Sequence, residues 1–176
     1  MTDSISTKPH TFVLLSGEIV LIDAVDRDLV ESNGPWYAWC SPNTTYVQAP
    51  RRRTDGTRTS VYLHRLLLDP PEGMQIDHIN RDGLDNRRTN LRVCTGSQNN
   101  ANSPPKPGCS SEFKGVSWHK QNAKWQAHGR DATGKKLYLG LFTAEHAAAR
   151  AYDAHAESVW GEFAWLNVDH FDVASR

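Results

Sequence analysis

Gln75–Asn102, QIDHINRDGLDNRRTNLRVCTGSQNNAN, is the stretch on which the reading of this chain turns. Acid, imidazole and carboxamide side chains gather there at spacings that solubility alone does not require. Asp77-His78 closes a short apolar run, Asn86 and Asn90 lie in a polar loop, and Asn99 and Asn102 open a helical segment. Met74–His78 predicts a short strand. Neighbouring strand residues point to opposite faces, so Asp77 and His78 can act together only where that strand ends or twists. Asn80-Arg81-Asp82-Gly83 is a turn signal that supplies such an end. Leu84–Val93 predicts a loop returning through a second short strand. Thr95 predicts an N-cap, with a helix running from Ser97 to Asn102 until Pro104-Pro105 halts it.

These residue types suit phosphodiester hydrolysis. That reaction needs a deprotonated water, a cation against the charge growing on phosphate, and help for the departing oxygen. His78 can take the proton, because an imidazole near its ordinary pKa is neutral at pH 7. Asp77 offers a hard oxygen to a cation such as Mg²⁺, which keeps few protein ligands and much of its water. Asn90 is suited to bracing the loop, since a carboxamide donates and accepts at once. Asn99 is a neutral oxygen ligand able to complete a metal site with Asp77.

Upstream, Glu18–Asp23, Trp36–Trp39 and Thr45–Gln48 read as short strands, and residues 1–11 as a loose end. Asp26–Ser32 reads as one or two helical turns. Arg51-Arg52-Arg53 enters a hairpin turn at Thr54–Thr57, and Ser60–Arg65 reads as the returning strand. Alternation there places Val61, Leu63 and Arg65 on one face and Tyr62 and His64 on the other. His64 and Arg65, like Asn86 and Asn102, are candidates for phosphate contact or support of the centre. The tryptophans of this region read as core.

Downstream, Ser103–Ser111 is rich in Pro, Gly and Ser and reads as a linker. Phe113–Trp118, Lys124–Arg130 and Lys136–Gly140 predict three strands. Thr143 predicts the cap of an alanine-rich helix running to about Val159, where Gly161 ends it. Ala144, Ala147, Ala148, Ala151 and Ala154 predict a small-residue stripe packed on the sheet. Basic side chains interleaved with Trp118, Trp125 and Tyr138 are then expected on the open face, where a DNA groove would fit.

Formal net charge is zero, but its distribution is uneven. Residues 1–50 carry two basic and six acidic side chains, whereas residues 51–110 carry ten and six. Phe113–Gly140 sets Lys114, Lys120, Lys124, Arg130, Lys135 and Lys136 against Asp131. Such segregation fits a polyanion-binding face. Cys40, Cys94 and Cys109 form no C-x-x-C pair and suggest neither a disulfide framework nor a zinc ribbon. No apolar run approaches the ~18 residues of a membrane span, and the N-terminus lacks a signal-peptide pattern, so a cytoplasmic protein without membrane partners is expected.

Leu63-His64-Arg65, Asp77-His78-Ile79, Asp85-Asn86-Arg87, Asn90-Leu91-Arg92 and Gln98-Asn99 with Asn102 resemble the HNH endonucleases of phage and intron homing enzymes. The resemblance implies a ββα-metal finger in which His78 is the general base, Asp77 and Asn99 hold one divalent metal, and Asn90 braces the loop. Mg²⁺ is the expected ion, with Mn²⁺ as the alternative. Asparagine stands at Asn99 where many relatives have histidine. The implied setting is the cytosol of a phage-infected or bacterial cell. Cleavage would leave 3′-hydroxyl and 5′-phosphate ends.

Lys114-Gly115-Val116, Trp125-Gln126-Ala127, Arg130, Tyr138-Leu139-Gly140, Phe142, the Ala147–Asp153 segment, Gly161 and Leu166-Asn167 resemble the APETALA2-type DNA-binding domain of plant ethylene-response factors. That resemblance implies a sheet in the major groove of double-stranded DNA, with Lys114, Trp118, His119, Lys120, Trp125, His128, Arg130 and Tyr138 as contacts. Ser117 and His119 stand where the plant proteins usually carry arginine, so their target sequence does not transfer.

The expected architecture is α+β. A β-rich region at 1–60 leads into the finger at 61–103, followed by a linker at 104–111, a three-stranded antiparallel sheet on one helix at 112–168, and a tail at 169–176. The favoured function is a monomeric, metal-dependent DNA endonuclease. The alternatives are a DNA-binding regulator whose finger is degenerate and a non-catalytic RNA-binding module.

Overall fold

The computed structural model describes residues 9–41 and 44–168. It is α+β, built from several small antiparallel sheets and few helices. Two compact units divide at Cys94 and Thr95. Residues 1–8 of the expected loose end, Pro42 and Asn43 between the expected strands, and the expected tail at 169–176 lie outside the described residues.

In the first unit, β1 (Pro9–Val13) pairs antiparallel with β2 (Ile19–Asp23). Residues 9–11 are therefore ordered strand and not a loose end, because Pro9, His10 and Thr11 pair with Asp23, Ile22 and Leu21. After α1 (Arg27–Ser32), β3 (Tyr37–Cys40), β4 (Thr45–Arg52) and β5 (Arg58–Tyr62) form a meander. The strand predicted for Ser60–Arg65 ends at Tyr62, and α2 (Leu63–Leu68) replaces its second half. Leu63, His64 and Leu67 are buried together, an i, i+1, i+4 set that shares one face of a helix but not of a strand. His64 consequently sits on a helix, and the alternation argument fails for it.

β6 (Gln75–His78) and β7 (Leu91–Cys94) make a two-stranded ladder in which Asp77 faces Arg92 and His78 faces Leu91. Its connecting loop docks on β2: Leu21 N–H donates to Leu84 O at 2.9 Å, and Asn86 N–H donates to Leu21 O at 2.8 Å. One core unites these parts. Val20, Ile22, Val47, Ala49 and Leu63 are all at 1% exposure or less and share it with Leu67, Ile76 and Leu91. Each fully buried aliphatic of Val, Leu or Ile size stabilises the fold by about 1.5–3 kcal/mol. The ladder carrying Asp77 and His78 is thus fixed by side chains from the N-terminal strands.

The second unit begins with α3 (Gly96–Ala101). β8 (Val116–His119), β9 (Lys124–Arg130) and β10 (Lys136–Phe142) then form an antiparallel sheet in the order β10-β9-β8. α4 (Glu145–Trp160) packs on it. Its N-cap is Ala144, not Thr143. The buried stripe of α4 is Ala148, Ala149, Tyr152 and Ala156, while Ala144 and Ala154 are exposed, so the helix is rotated from the predicted stripe. Gly129 permits this approach: a Cβ there would lie 2.1 Å from His155 Cδ2.

Candidate active site

Asp77 and His78 are the last residues of β6, and both are buried at 4% exposure. The strand ends where the sequence places its turn, with Arg81 N–H donating to His78 O at 2.8 Å. Gly83 lets this loop press on β4, because a Cβ there would meet Thr45 O at 2.4 Å.

The imidazole of His78 is oriented by Asn86, which is fully buried. Asn86 Nδ2 donates to Gly83 O at 3.1 Å, and this fixes Oδ1 as the atom 3.4 Å from His78 Nε2. An amide oriented this way accepts from Nε2–H, leaving Nδ1 as the basic nitrogen. Burial pushes the His78 pKa below its ordinary value, outweighing the Asn86 hydrogen bond and the charges of Asp77, Asp82 and Asp85. The ring is therefore neutral at neutral pH.

Asn90 bridges the two ends of the loop. Its Nδ2 donates to Asp85 O at 2.7 Å and to Asn80 Oδ1 at 2.9 Å, while its Oδ1 accepts from Asn80 N–H at 3.0 Å. Asp85 is also buried, accepting from Asn80 Nδ2 at 2.9 Å and from Arg87 Nη2 at 2.6 Å. Arg88 anchors the outer end to the N-terminal strands, through Asp23 Oδ2 at 2.7 Å and a two-pronged pair with Asp26 at 2.7 and 2.9 Å. Sequence reasoning passed over Asn80, Asp85, Asp23 and Asp26, although Asp85-Asn86-Arg87 was legible as a motif.

It also passed over Arg92. Nε and Nη2 of Arg92 both reach Asp77 Oδ2, at 2.9 and 2.7 Å, in a largely buried pair. The signal is the strand register, since Asp77 and Arg92 are directly opposite.

His64 packs against this centre. Its ring lies 5.1 Å from that of His78 and stacks on Tyr62 at 5.5 Å. Tyr46 covers both imidazoles. His64 Nδ1 is buried and has no hydrogen-bond partner among the described residues, and burial, then the charges of His78 and Arg65, push its pKa down to about 3. Arg65 is turned to the backbone, with Nη1 3.3 Å from Met74 O. On the outer hairpin, Arg52 and Arg58 are cross-strand partners, and neither forms an ion pair with a carboxylate among the described residues.

Asn99 and Asn102 belong to the second unit. Asn99 is half-buried on α3, and Asn102 is buried as its C-cap. Thr95 caps the helix as predicted: its Oγ1 accepts from Gln98 N–H at 3.2 Å, and Gln98 Oε1 accepts from Thr95 N–H at 2.8 Å.

On the sheet of the second unit, Ser117, His119, Lys124, Gln126, His128, Arg130, Lys136 and Tyr138 alternate onto the open face by register. His128 and Tyr138 meet there edge to face at 5.9 Å. His119 Nδ1 accepts from Asn122 N–H, which orders the turn carrying exposed Lys120. Trp118 and Trp125 pair with each other on the opposite face, that of Val116 and Ala127. Trp125 packs on the core beneath the helix, which corrects the expectation that both tryptophans interleave with the basic side chains.

A family model described as HNH endonuclease matches residues 69–101. APETALA2-like protein 2 of Oryza sativa subsp. indica is 41% identical over 63 residues, which are 36% of this chain and 14% of that protein. The AP2-like ethylene-responsive transcription factors TOE2 and AIL5 of Arabidopsis thaliana are 43% and 44% identical over 58 and 69 residues. The chain joins an HNH endonuclease region to an AP2-type DNA-binding domain. The HNH match embraces Asp77, His78, Asn90 and Asn99, and its last residues form α3. The AP2-type relatives share 33% and 38% of this chain in the two Arabidopsis cases, yet the chain spans only 12% of each. No solved structure matches significantly. Among the described residues no helix is long and apolar enough to cross a membrane.

Proposed function

We propose that the chain is a metal-dependent DNA endonuclease in which His78 activates the attacking water and the AP2-type sheet holds the duplex. The observation that carries this reading is the His78–Asn86 pair at the end of β6: a buried, neutral imidazole with its tautomer assigned by a fixed amide. A surface histidine serving only solubility has no need of such an arrangement.

Water attacks phosphorus as His78 Nδ1 removes its proton, and the bond from phosphorus to the 3′ oxygen breaks, that oxygen keeping the electron pair and taking a proton from solvent water to become the 3′-hydroxyl. Asn86 accepts from Nε2–H throughout and stabilises the imidazolium that forms. Asn90 keeps the loop closed around this geometry through Asn80 and Asp85. Asp77 and Asn99 would hold one divalent ion, Mg²⁺ or Mn²⁺, which when bound supplies positive charge for the phosphate and the leaving oxygen. The donors fit such an ion. A carboxylate and a carboxamide supply hard oxygen donors, and Mg²⁺ characteristically takes one or two carboxylates and retains water. Arg92 holds the Asp77 carboxylate in place by gripping Oδ2.

DNA is the polyanion that best suits Lys124, Arg130 and Lys136 on the open sheet face, with His128 and Tyr138 between them. The uncompensated Arg52–Arg58 pair adds a second basic surface. A second reading, a regulator that binds DNA without cutting, is favoured by the transcription factors among the curated relatives. Incubation with supercoiled plasmid in Mg²⁺, in Mn²⁺ and in chelator separates the two. Conversion to open-circle or linear DNA with either ion and none in chelator is expected; intact plasmid under every condition supports the regulator.

A further inference from the structure

We propose that Lys114 is a positioning residue for the metal centre, acting by anchoring the helix that carries Asn99. The inference rests on the reading of Asn99 as a metal ligand. It replaces the expectation that Lys114 contacts phosphate.

α3 has six residues and lies far below the length at which a helix persists by itself in water. Its orientation must come from what grips its ends. The Thr95–Gln98 capping box secures the N-terminus. At the C-terminus the Lys114 ammonium donates to Ala101 O at 2.7 Å, Ser103 O at 2.7 Å and Asn100 O at 3.2 Å. The ammonium thus gathers the last two carbonyls of the helix and that of Ser103 just beyond its C-cap, and the cation also opposes the helix dipole. Trp165 N–H adds a bond to Ala101 O at 3.0 Å. Asn99 lies between the two grips.

Lys114 is itself held by a buried polar chain. Its N–H donates to Asn167 Oδ1 at 2.8 Å, and its carbonyl accepts from Asn167 Nδ2 at 3.1 Å. Asp153 Oδ1 accepts from the same Nδ2 at 3.0 Å and from Asn167 N–H at 2.8 Å. Asn167 and Asp153 are 2% and 6% exposed. The path Asp153–Asn167–Lys114 ties the core of the AP2-type sheet and helix to the end of α3. A merely solvated lysine would need no such backing.

The full-length protein and its Lys114→Met and Lys114→Arg variants test this with three readouts. Met keeps the aliphatic stem and loses the donors; Arg restores donors. In Lys114→Met, amides of residues 98–102 are expected to exchange faster with solvent. Mn²⁺ binding, followed by loss of the free-ion EPR signal, should show a half-saturation point raised about 10-fold, the lower end of losses seen when the support of a metal ligand is removed. Lys114→Arg should recover most of both. The salt dependence of duplex binding should not change. The proposal is overturned if exchange and Mn²⁺ midpoint stay as in the parent, if only one of them moves, or if the salt slope falls by about one, which would make Lys114 a phosphate contact. A parent protein that takes up no Mn²⁺ overturns the metal reading and this proposal together. A parent that binds Mn²⁺ beside a Lys114→Met variant with the parent's midpoint overturns this proposal and leaves the metal reading standing.

Discussion

Arg92 and Asp77 face each other across the β6–β7 ladder, and the guanidinium closes two nitrogens on one carboxylate oxygen at 2.9 and 2.7 Å. Removing one partner of a buried pair strands the other charge, at a cost of about 3–5 kcal/mol. Arg92→Met is therefore expected to lower stability to urea by about 3 kcal/mol, and Asp77→Asn in the same chain to recover part of it. Additive losses in the double variant would show that the pair contributes nothing jointly.

His78→Ala should reduce metal-dependent cleavage by at least about 10²-fold, the usual contribution of a general base, with duplex affinity unchanged. Because burial holds the imidazole below its ordinary pKa, the basic form persists into mildly acidic solution. The acid limb of the kcat/KM profile should accordingly fall below pH 6.5. A limb above that value, or undiminished cutting by the variant, removes His78 from the mechanism.

His64 gives a stability signature of its own. Its folded pKa is about 3, against an unfolded value near 6.5. The contribution is complete above pH 6.5 and is lost as pH falls toward 3, because in that window only the unfolded chain binds the proton. The slope reaches about 1.4 kcal/mol per pH unit for one proton. Urea midpoints between pH 7.5 and 5 should fall less steeply in His64→Phe than in the parent, and equal slopes would refute this.

Arg52 and Arg58 stand directly opposite each other, an arrangement that destabilises a bare hairpin. Replacing both by Gln should leave stability equal or slightly higher while reducing the salt slope of duplex binding by about two. An unchanged slope would place the DNA away from this hairpin.

Much of the geometry around His78 was legible because it is local. A strand ended by Asn80–Gly83, a bracing asparagine at 90 and a Thr95 cap are all short-range signals. What escaped needs distance information: the Asp77–Arg92 pair depends on register, and the Asp23 and Asp26 anchors lie more than sixty residues before Arg88. His64 was misplaced for another reason. The triplet Tyr62-Leu63-His64 fits strand alternation as well as a helix start, and only the joint burial of Leu63, His64 and Leu67 separates them. Trp118 and Trp125 went to the wrong face because a basic, aromatic-rich strand gives no sign of which side the helix covers. Lys114 likewise gave no local sign that its charge belongs to carbonyls 11–14 residues earlier.

The proline-rich segment after Ser103 looks like the natural seam for recombining this chain with another DNA reader. The anchoring of α3 moves the seam. A chimera joined at residue 104 would leave the Asn99 helix behind without Lys114 and Trp165, whereas one joined between Cys94 and Thr95 would carry helix and anchors across together. A graft of a new reader must therefore bring its own counterpart of the final helix of the HNH region.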